Sequence, residues 1–220
     1  MRELPQAADG AAGGARSVVG RLAYQAENGA RYARQAVDVD LTATIDLSAD
    51  ERAELRELDI RVHGPHESRP ATPASQLTWA GLDDTLCAVR VRHDGLLVSS
   101  LYVNERRILV NGQQQHAGGI RGVLTDPGYR RRGFARAALQ RGMTFMLDEL
   151  QVELGLLLSS QMAVPLYQGL GWQIFDGPVL CEQPDGPINY TELMPGHPPM
   201  VLLPAGGTAS GAIDMCGLPW

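Results

Sequence analysis

The chain has 220 residues, of which 44% are hydrophobic and 20% charged, with a net charge of −6; this suits a single α/β domain with a buried core and disfavours a nucleic-acid binder. All 19 basic residues are arginine, which excludes a lysine Schiff base, and three widely spaced cysteines (Cys87, Cys181, Cys216) suggest neither a disulfide framework nor a zinc site. No apolar run is long enough to span a bilayer and the N-terminus lacks a secretory pattern, so a soluble, cytoplasmic protein is expected, with no membrane, nucleic-acid or metal partner.

Residues 1–37 are rich in Ala and Gly and read as a poorly ordered extension, in which a short helix over 17–25 is the one element available. The domain itself is expected over 38–220. Val37, Val39, Leu41 and Ala43 alternate with polar residues as a strand does. Ser48-Ala49-Asp50-Glu51 then reads as a capping box opening a helix with Leu55, Leu58 and Val62 on one face. A Pro-rich linker and a short helix over 76–79 follow. Asp94-Gly95 and Asn111-Gly112 mark two tight hairpins joining strands over 86–93, 96–110 and 114–125. A helix over 133–150, a strand over 154–158, a helix through Tyr167, a strand over 172–175 and a last strand over 200–203 complete the order.

Between the strand ending at Thr125 and the next helix lies Gly128-Tyr129-Arg130-Arg131-Arg132-Gly133-Phe134-Ala135. The first turn of a helix leaves backbone N–H groups unpaired and carries partial positive charge; Gly133 and Ala135 keep side-chain bulk away, and three arginines add charge. Strand, basic glycine loop, helix is an arrangement that holds a phosphate group. The loop is neither a Walker loop, for want of a lysine, nor a Gly-x-Gly-x-x-Gly dinucleotide turn.

Arg130-x-x-Gly133-x-Ala135 resembles the pyrophosphate-binding signature of the GNAT superfamily of N-acetyltransferases, and Pro165-Leu166-Tyr167-Gln168-Gly169-Leu170-Gly171-Trp172 resembles that superfamily's second motif. The resemblance implies an α/β (α+β) fold: a central, mostly antiparallel mixed sheet with a splayed parallel strand pair, flanked by helices. It implies an acetyl-CoA-dependent enzyme. Backbone groups of Gly122, Val123, Leu124 and Thr125 would pair with the pantetheine arm, and those of Arg131, Arg132, Gly133, Phe134, Ala135 and Arg136, with Arg130 and Ser159 nearby, would hold the cofactor. A donor beside Gly122 would polarise the thioester carbonyl, and Tyr167 would protonate the departing sulfur; the competing reading of Tyr167 is packing against Trp172.

Within the superfamily, the C-terminal half resembles the aminoglycoside 2′-N-acetyltransferases through Leu158-Ser159-Ser160, Leu166-Tyr167, Gly171-Trp172, Gly177-Pro178, Met215-Cys216 and a terminal Trp220. The resemblance makes Trp220 a substrate-binding residue through its carboxylate; the plainer reading is a hydrophobic anchor. Where a branch of the superfamily has a catalytic carboxylate, this chain has Arg121 at the substrate edge, which cannot take a proton at neutral pH. His116, Glu105, Glu182 and Glu192 are the remaining candidate bases. Ala74-Ser75-Gln76-Leu77-Thr78-Trp79 replaces an acidic helix, leaving Asp83 and Asp84. Arginine at that edge repels a polycation and suits an acceptor that carries an acid. The expected reaction is N-acetylation of a small-molecule primary amine, with aminoglycosides the leading named class and a homodimer through the C-terminal strands. Alternatives are a non-catalytic acyl-CoA sensor and a protein or peptide acetyltransferase.

Overall fold

Two tight turns organise the sheet. Asp94 and Gly95 have φ of 51° and 81°, and Asn111 and Gly112 have 52° and 76°. Two successive residues in the left-handed region define type I′ turns, whose twist matches that of the flanking strands. They join β2 (Cys87–His93), β3 (Leu96–Val110) and β4 (Gln113–Thr125) into an antiparallel meander. This computed structural model describes residues 37–220 apart from 69–71, 83, 205 and 208, so the extension, its helix over 17–25 and Asp83 lie outside the described residues. Val37 alone of residues 1–37 is described, and it opens β1 (Val37–Ala43), which pairs with β2.

Helix α1 (Ala49–His63) starts at the expected capping box: Glu51 N–H donates to Ser48 Oγ (3.2 Å) and Ser48 N–H donates to Glu51 Oε2 (2.8 Å). Leu55 and Leu58 are buried against Ala88 and Leu97, and Val62 packs on the same cluster. No helix forms over 76–79, where one was expected: the local turns are 3-10, at His66–Ser68 and Pro73–Gln76, and the Thr78 backbone is held by Gln183, whose Oε1 accepts from Thr78 N–H (2.8 Å) and whose Nε2 donates to the Thr78 carbonyl (2.9 Å). Helix α2 (Phe134–Thr144) runs on into a single π turn, Phe145–Glu149, where a regular helix to Leu150 was expected. The wider turn sets Met146 against Gly118, where a Cβ would lie 2.7 Å from its Sδ.

The chain continues through β5 (Leu154–Leu158), α3 (Val164–Gln168), β6 (Gln173–Ile174), β7 (Val179–Cys181), β8 (Ile188–Asn189), α4 (Tyr190–Leu193), β9 (Pro199–Leu202) and β10 (Ile213–Asp214). The expected last strand is β9, but it is not the last: β7, β8, α4 and β10 are too short to show periodicity in the sequence. Sheet order is β6–β9–β5–β4–β3–β10–β7–β8, with β2 along the first half of β3 and β1 outside it. Most pairs are antiparallel and β4–β5 is parallel, as the mixed-sheet expectation requires; β10–β7 adds a second parallel pair. Helix α2 covers one face over Leu101, Val103, Ile120 and Leu157. On the other face α1 sits beside the C-terminal segment, whose Ile213, Met215 and Trp220 bury Ile108, Ala117 and Leu156. Among the described residues no helix is long and apolar enough to cross a membrane.

Candidate active site

Strands β4 and β5 are paired only from Ala117–Leu154 to Ile120–Leu157. Beyond that point β4 continues to Thr125 while β5 ends, and the Ser159 amide turns away to the Pro198 carbonyl (3.0 Å). A gap therefore opens along Gly122–Thr125. On the β3 side the register slips here: Tyr102 faces Arg121 but Ser100 faces Leu124, so Gly122 and Val123 share one position as a β-bulge. Gly122 has φ of 57° and is exposed, a conformation that suits glycine. Of the expected backbone partners, the Leu124 carbonyl already accepts from Ser99 Oγ (2.6 Å) and the Thr125 carbonyl from Arg130 Nε (3.3 Å). Gly122 and Val123 lie in the bulge, outside the ladder register.

Asp126 fixes the loop that follows. One oxygen accepts from Gly128 N–H (2.9 Å), capping the one-turn 3-10 helix Pro127–Tyr129, and the other takes Arg61 Nε from the last turn of α1 at 2.7 Å. Arg131 and Gly133 both have left-handed φ, 61° and 88°, and Gly133 is the N-cap of α2 with no side-chain cap. A Cβ at Gly133 would meet nothing within 4 Å, so it is φ, not crowding within the protein, that requires glycine. The first-turn N–H groups of Phe134, Ala135 and Arg136 are thus left without a side-chain cap. The Phe134 ring points inward, packed on His93 (5.2 Å) and Tyr129 (6.2 Å), and only its backbone is available to the loop. Arg130, Arg131 and Arg132 are exposed and form no ion pair among the described residues; Arg132 lies over the Tyr129 ring at 5.2 Å. Arg136 Nη1 donates to the Gly169 carbonyl (3.2 Å), tying α2 to the end of α3. Uncapped donors, a helix dipole and unpaired arginines fit a diphosphate.

Tyr167 is buried on α3, its ring edge-on to Trp172 at 6.4 Å. Burial pushes its phenol up to about 12, so it stays protonated at neutral pH, and the hydroxyl makes no hydrogen bond with the described residues. Packing and proton donation are compatible in this setting. Ser159 is buried; its hydroxyl donates to the Ser160 carbonyl (2.8 Å) and its amide to the Pro198 carbonyl, so both of its donors are spoken for within the chain.

The opposite side of the bulge is built from distant segments. Gly118 faces the π turn and Gly119 faces Trp220, whose ring a Cβ at 119 would strike, so alternation puts Arg121 on the Trp220 face. The Trp220 indole is 2% exposed, donates to the Leu156 carbonyl (3.2 Å) and lies under the Arg106 guanidinium at 5.0 Å. Its side chain is therefore an anchor. Arg106 Nη1 also donates to the carbonyls of Met215 (3.2 Å) and Leu218 (2.9 Å), strapping the C-terminal segment to β3. Ala80 N–H donates to the Pro219 carbonyl (2.8 Å), and Arg121 Nη1 donates to the carbonyls of Ala80 and Gly81. Tyr102 closes the group: its ring covers Gly122, where a Cβ would lie 3.2 Å from Cδ2. Burial lowers the Arg121 pKa, with Tyr102 and Asp84 opposing it, yet an arginine remains a cation. Asp84 braces the neighbouring loop by accepting from Gly81 N–H (2.7 Å).

Sequence reasoning passed over Tyr102, Arg106 and Arg61. Tyr102 was within reach of it: counting back from the Asn111-Gly112 turn places residue 102 opposite 121. His116 and Glu105 are hydrogen-bonded to each other (2.6 Å) on the α2 face, and His116 lies six residues, about 20 Å, down the strand from Gly122. That face and that distance remove both as bases for chemistry at the bulge. Glu192 is exposed on α4, and Glu182 is exposed, its amide held by the Gly217 carbonyl (2.9 Å).

A gap between parting parallel strands that ends at an uncapped, basic helix start is the arrangement of acetyl-transfer enzymes that use acetyl-CoA as co-substrate. Residues 47–175 match the Acetyltransferase (GNAT) domain family, and the chain belongs to it. Two solved structures agree on the fold. ElaA from Escherichia coli is 14% identical with a TM-score of 0.52, over 76% of this chain and 99% of its own. The E. coli GNAT family N-acetyltransferase YhbS, solved in complex with CoA, is 15% identical with a TM-score of 0.52, over 86% and 94%. A probable N-acyltransferase from Enterococcus faecalis is 20% identical (TM-score 0.46) over 63% of this chain, which spans 33% of that longer protein.

Proposed function

We propose that this protein is a cytoplasmic enzyme that transfers the acetyl group of acetyl-CoA to a primary amine of a small molecule, with Gly122 and Tyr167 as the catalytic positions. The observation that carries the reading is the bulge at Gly122, an exposed position where β4 has run past the end of its pairing with β5. Bound acetyl-CoA supplies a thioester carbonyl there. Loop donors from Arg131 to Arg136 hold its diphosphate, with Arg130 alongside, and the bulge backbone at Gly122 and Val123 orients the pantetheine arm. As the C–N bond forms and the C–S bond breaks, Tyr167 gives its phenolic proton to the sulfur, and the proton shed by the amine nitrogen passes through water to restore the phenol. No carboxylate of the chain is needed as base for an amine that arrives neutral.

Aminoglycosides are the named acceptor class that the C-terminal motifs ending at Trp220 suggest, Arg121 weighs against so polycationic an acceptor, and a role in antibiotic resistance stands or falls with that arm of the assay. A homodimer through the C-terminal strands belongs to the same reading, and analytical ultracentrifugation tests it. The decisive assay is thiol release from acetyl-CoA with aminoglycosides, polyamines, amino acids and peptides. Acceptor-dependent release with a small amine is expected. Tight acetyl-CoA binding with no release from any acceptor would make the protein a sensor, and release with peptides alone would make it a peptide acetyltransferase.

A further inference from the structure

Arg121 carries an unusual electrostatic situation. Its guanidinium is half-buried, one residue from the bulge, on the face away from α2. Among the described residues it has no carboxylate partner. Its single tie is Nη1, which donates to two neutral carbonyls, those of Ala80 and Gly81. Nε and Nη2 make no hydrogen bond with the described residues, which leaves one edge of the guanidinium with unused donors. A partly buried cation without a counter-ion is costly, and an anion that supplied bidentate contacts would offset that cost.

Tyr102 stands directly across from it. The two are register partners on adjacent strands, so their side chains leave the sheet side by side, and the Tyr102 ring lies over Gly122. The phenol makes no hydrogen bond with the described residues and is half-buried. A guanidinium edge and a phenol hydroxyl side by side form a donor pair for a carboxylate. Negative charge is present nearby, but it is engaged elsewhere or set back: Asp84 braces Gly81, and Asp59 projects from α1. Arg52, the other cation facing Tyr102, spends its guanidinium on the carbonyls of Leu47 and Thr44.

We infer that Arg121 and Tyr102 form an anion subsite beside the bulge, so that the acceptor is an amine that also carries a carboxylate. The inference rests on the transferase reading and narrows it to amino acids and related amino carboxylates. The carboxylate docks on the free guanidinium edge and the phenol, which sets the amine toward Gly122. Polycationic acceptors are disfavoured by the same cation.

Matched acceptors test this on the intact protein: phenylalanine, β-alanine and γ-aminobutyrate, each against its amide, with kanamycin as the polycation. The acids are expected to show at least tenfold higher kcat/KM than their amides, chiefly through KM. Arg121→Gln should remove that preference while leaving the acetyl-CoA Kd unchanged, and Arg121→Lys should restore part of it. Tyr102→Phe should raise KM for the acids a few-fold and leave the amides unmoved. Should Arg121→Gln fail to fold, the wild-type acid-to-amide ratio still decides. Equal turnover of acids and amides, or a preference for kanamycin, overturns the subsite while the transferase stands. No thiol release from any of them, with acetyl-CoA still bound, overturns both.

Discussion

The two sides of the bulge at Gly122 are built on different principles. The proposed cofactor side is nearly contiguous in sequence, running from Gly122 through Arg136, and it would work mainly through backbone: a bulge, two left-handed residues and an uncapped helix start. The proposed acceptor side is assembled from β3, β4, Ala80, Gly81 and the segment 215–220, and it would work through side chains: Arg121, Tyr102, Arg106 and Trp220. A backbone site tolerates sequence change as long as dihedral angles survive. A site made of remote side chains can be re-specified by a few substitutions without touching cofactor binding.

The largest effect expected from breaking that division comes from Trp220→Ala. It removes a fully packed indole and its bond to Leu156, and should cost about 3–5 kcal/mol in a denaturant melt. The surviving folded protein should bind acetyl-CoA with unchanged Kd by calorimetry but show a raised acceptor KM; an equal loss on both sides would show that the two halves are not separable. Next is Tyr167→Phe, expected to lower kcat about 100-fold with acetyl-CoA affinity intact. Because burial holds the phenol near 12, wild-type kcat should rise with pH as the amine deprotonates and show no descending limb up to pH 10. A descending limb below that would assign the acid to another group.

Gly133→Glu sharpens the cofactor side: it places a non-glycine residue at φ of 88° and a negative charge at the anion site. Acetyl-CoA should bind roughly 10–100-fold more weakly, and unchanged affinity would end the phosphate-loop assignment. The smallest effect is a control lying in neither half. Glu51 is held down to about 2 by the Ser48 backbone amide and by Arg90, whose Nη1 is 2.5 Å away, with burial opposing. A depressed folded-state pKa stabilises the fold above the ordinary value of 4.5 and is lost as pH falls through about 2. Glu51→Gln should therefore cost about 1 kcal/mol at pH 7, with the difference from wild type shrinking between pH 4.5 and 2, and catalysis unaffected.

The fold and the conformation of the loop before α2 were legible in the sequence because their signals are local. The Asp94-Gly95 and Asn111-Gly112 turns, the Ser48–Glu51 box and the glycine at 133 each act within a few residues, where chain stiffness and hydrogen-bond reach decide conformation. From the same turn the pairing of Tyr102 with Arg121 could be counted. Tertiary structure alone decided where His116 and Glu105 face, that Arg121 spends one nitrogen on Ala80 and Gly81, and that β10 threads between β3 and β7 to carry Trp220 onto Gly119. Such contacts join distant positions, 112 apart in the bond from Arg106 to Leu218. No local propensity encodes such a contact, because its free energy comes from burial and pairing that exist only once both segments have reached the same sheet.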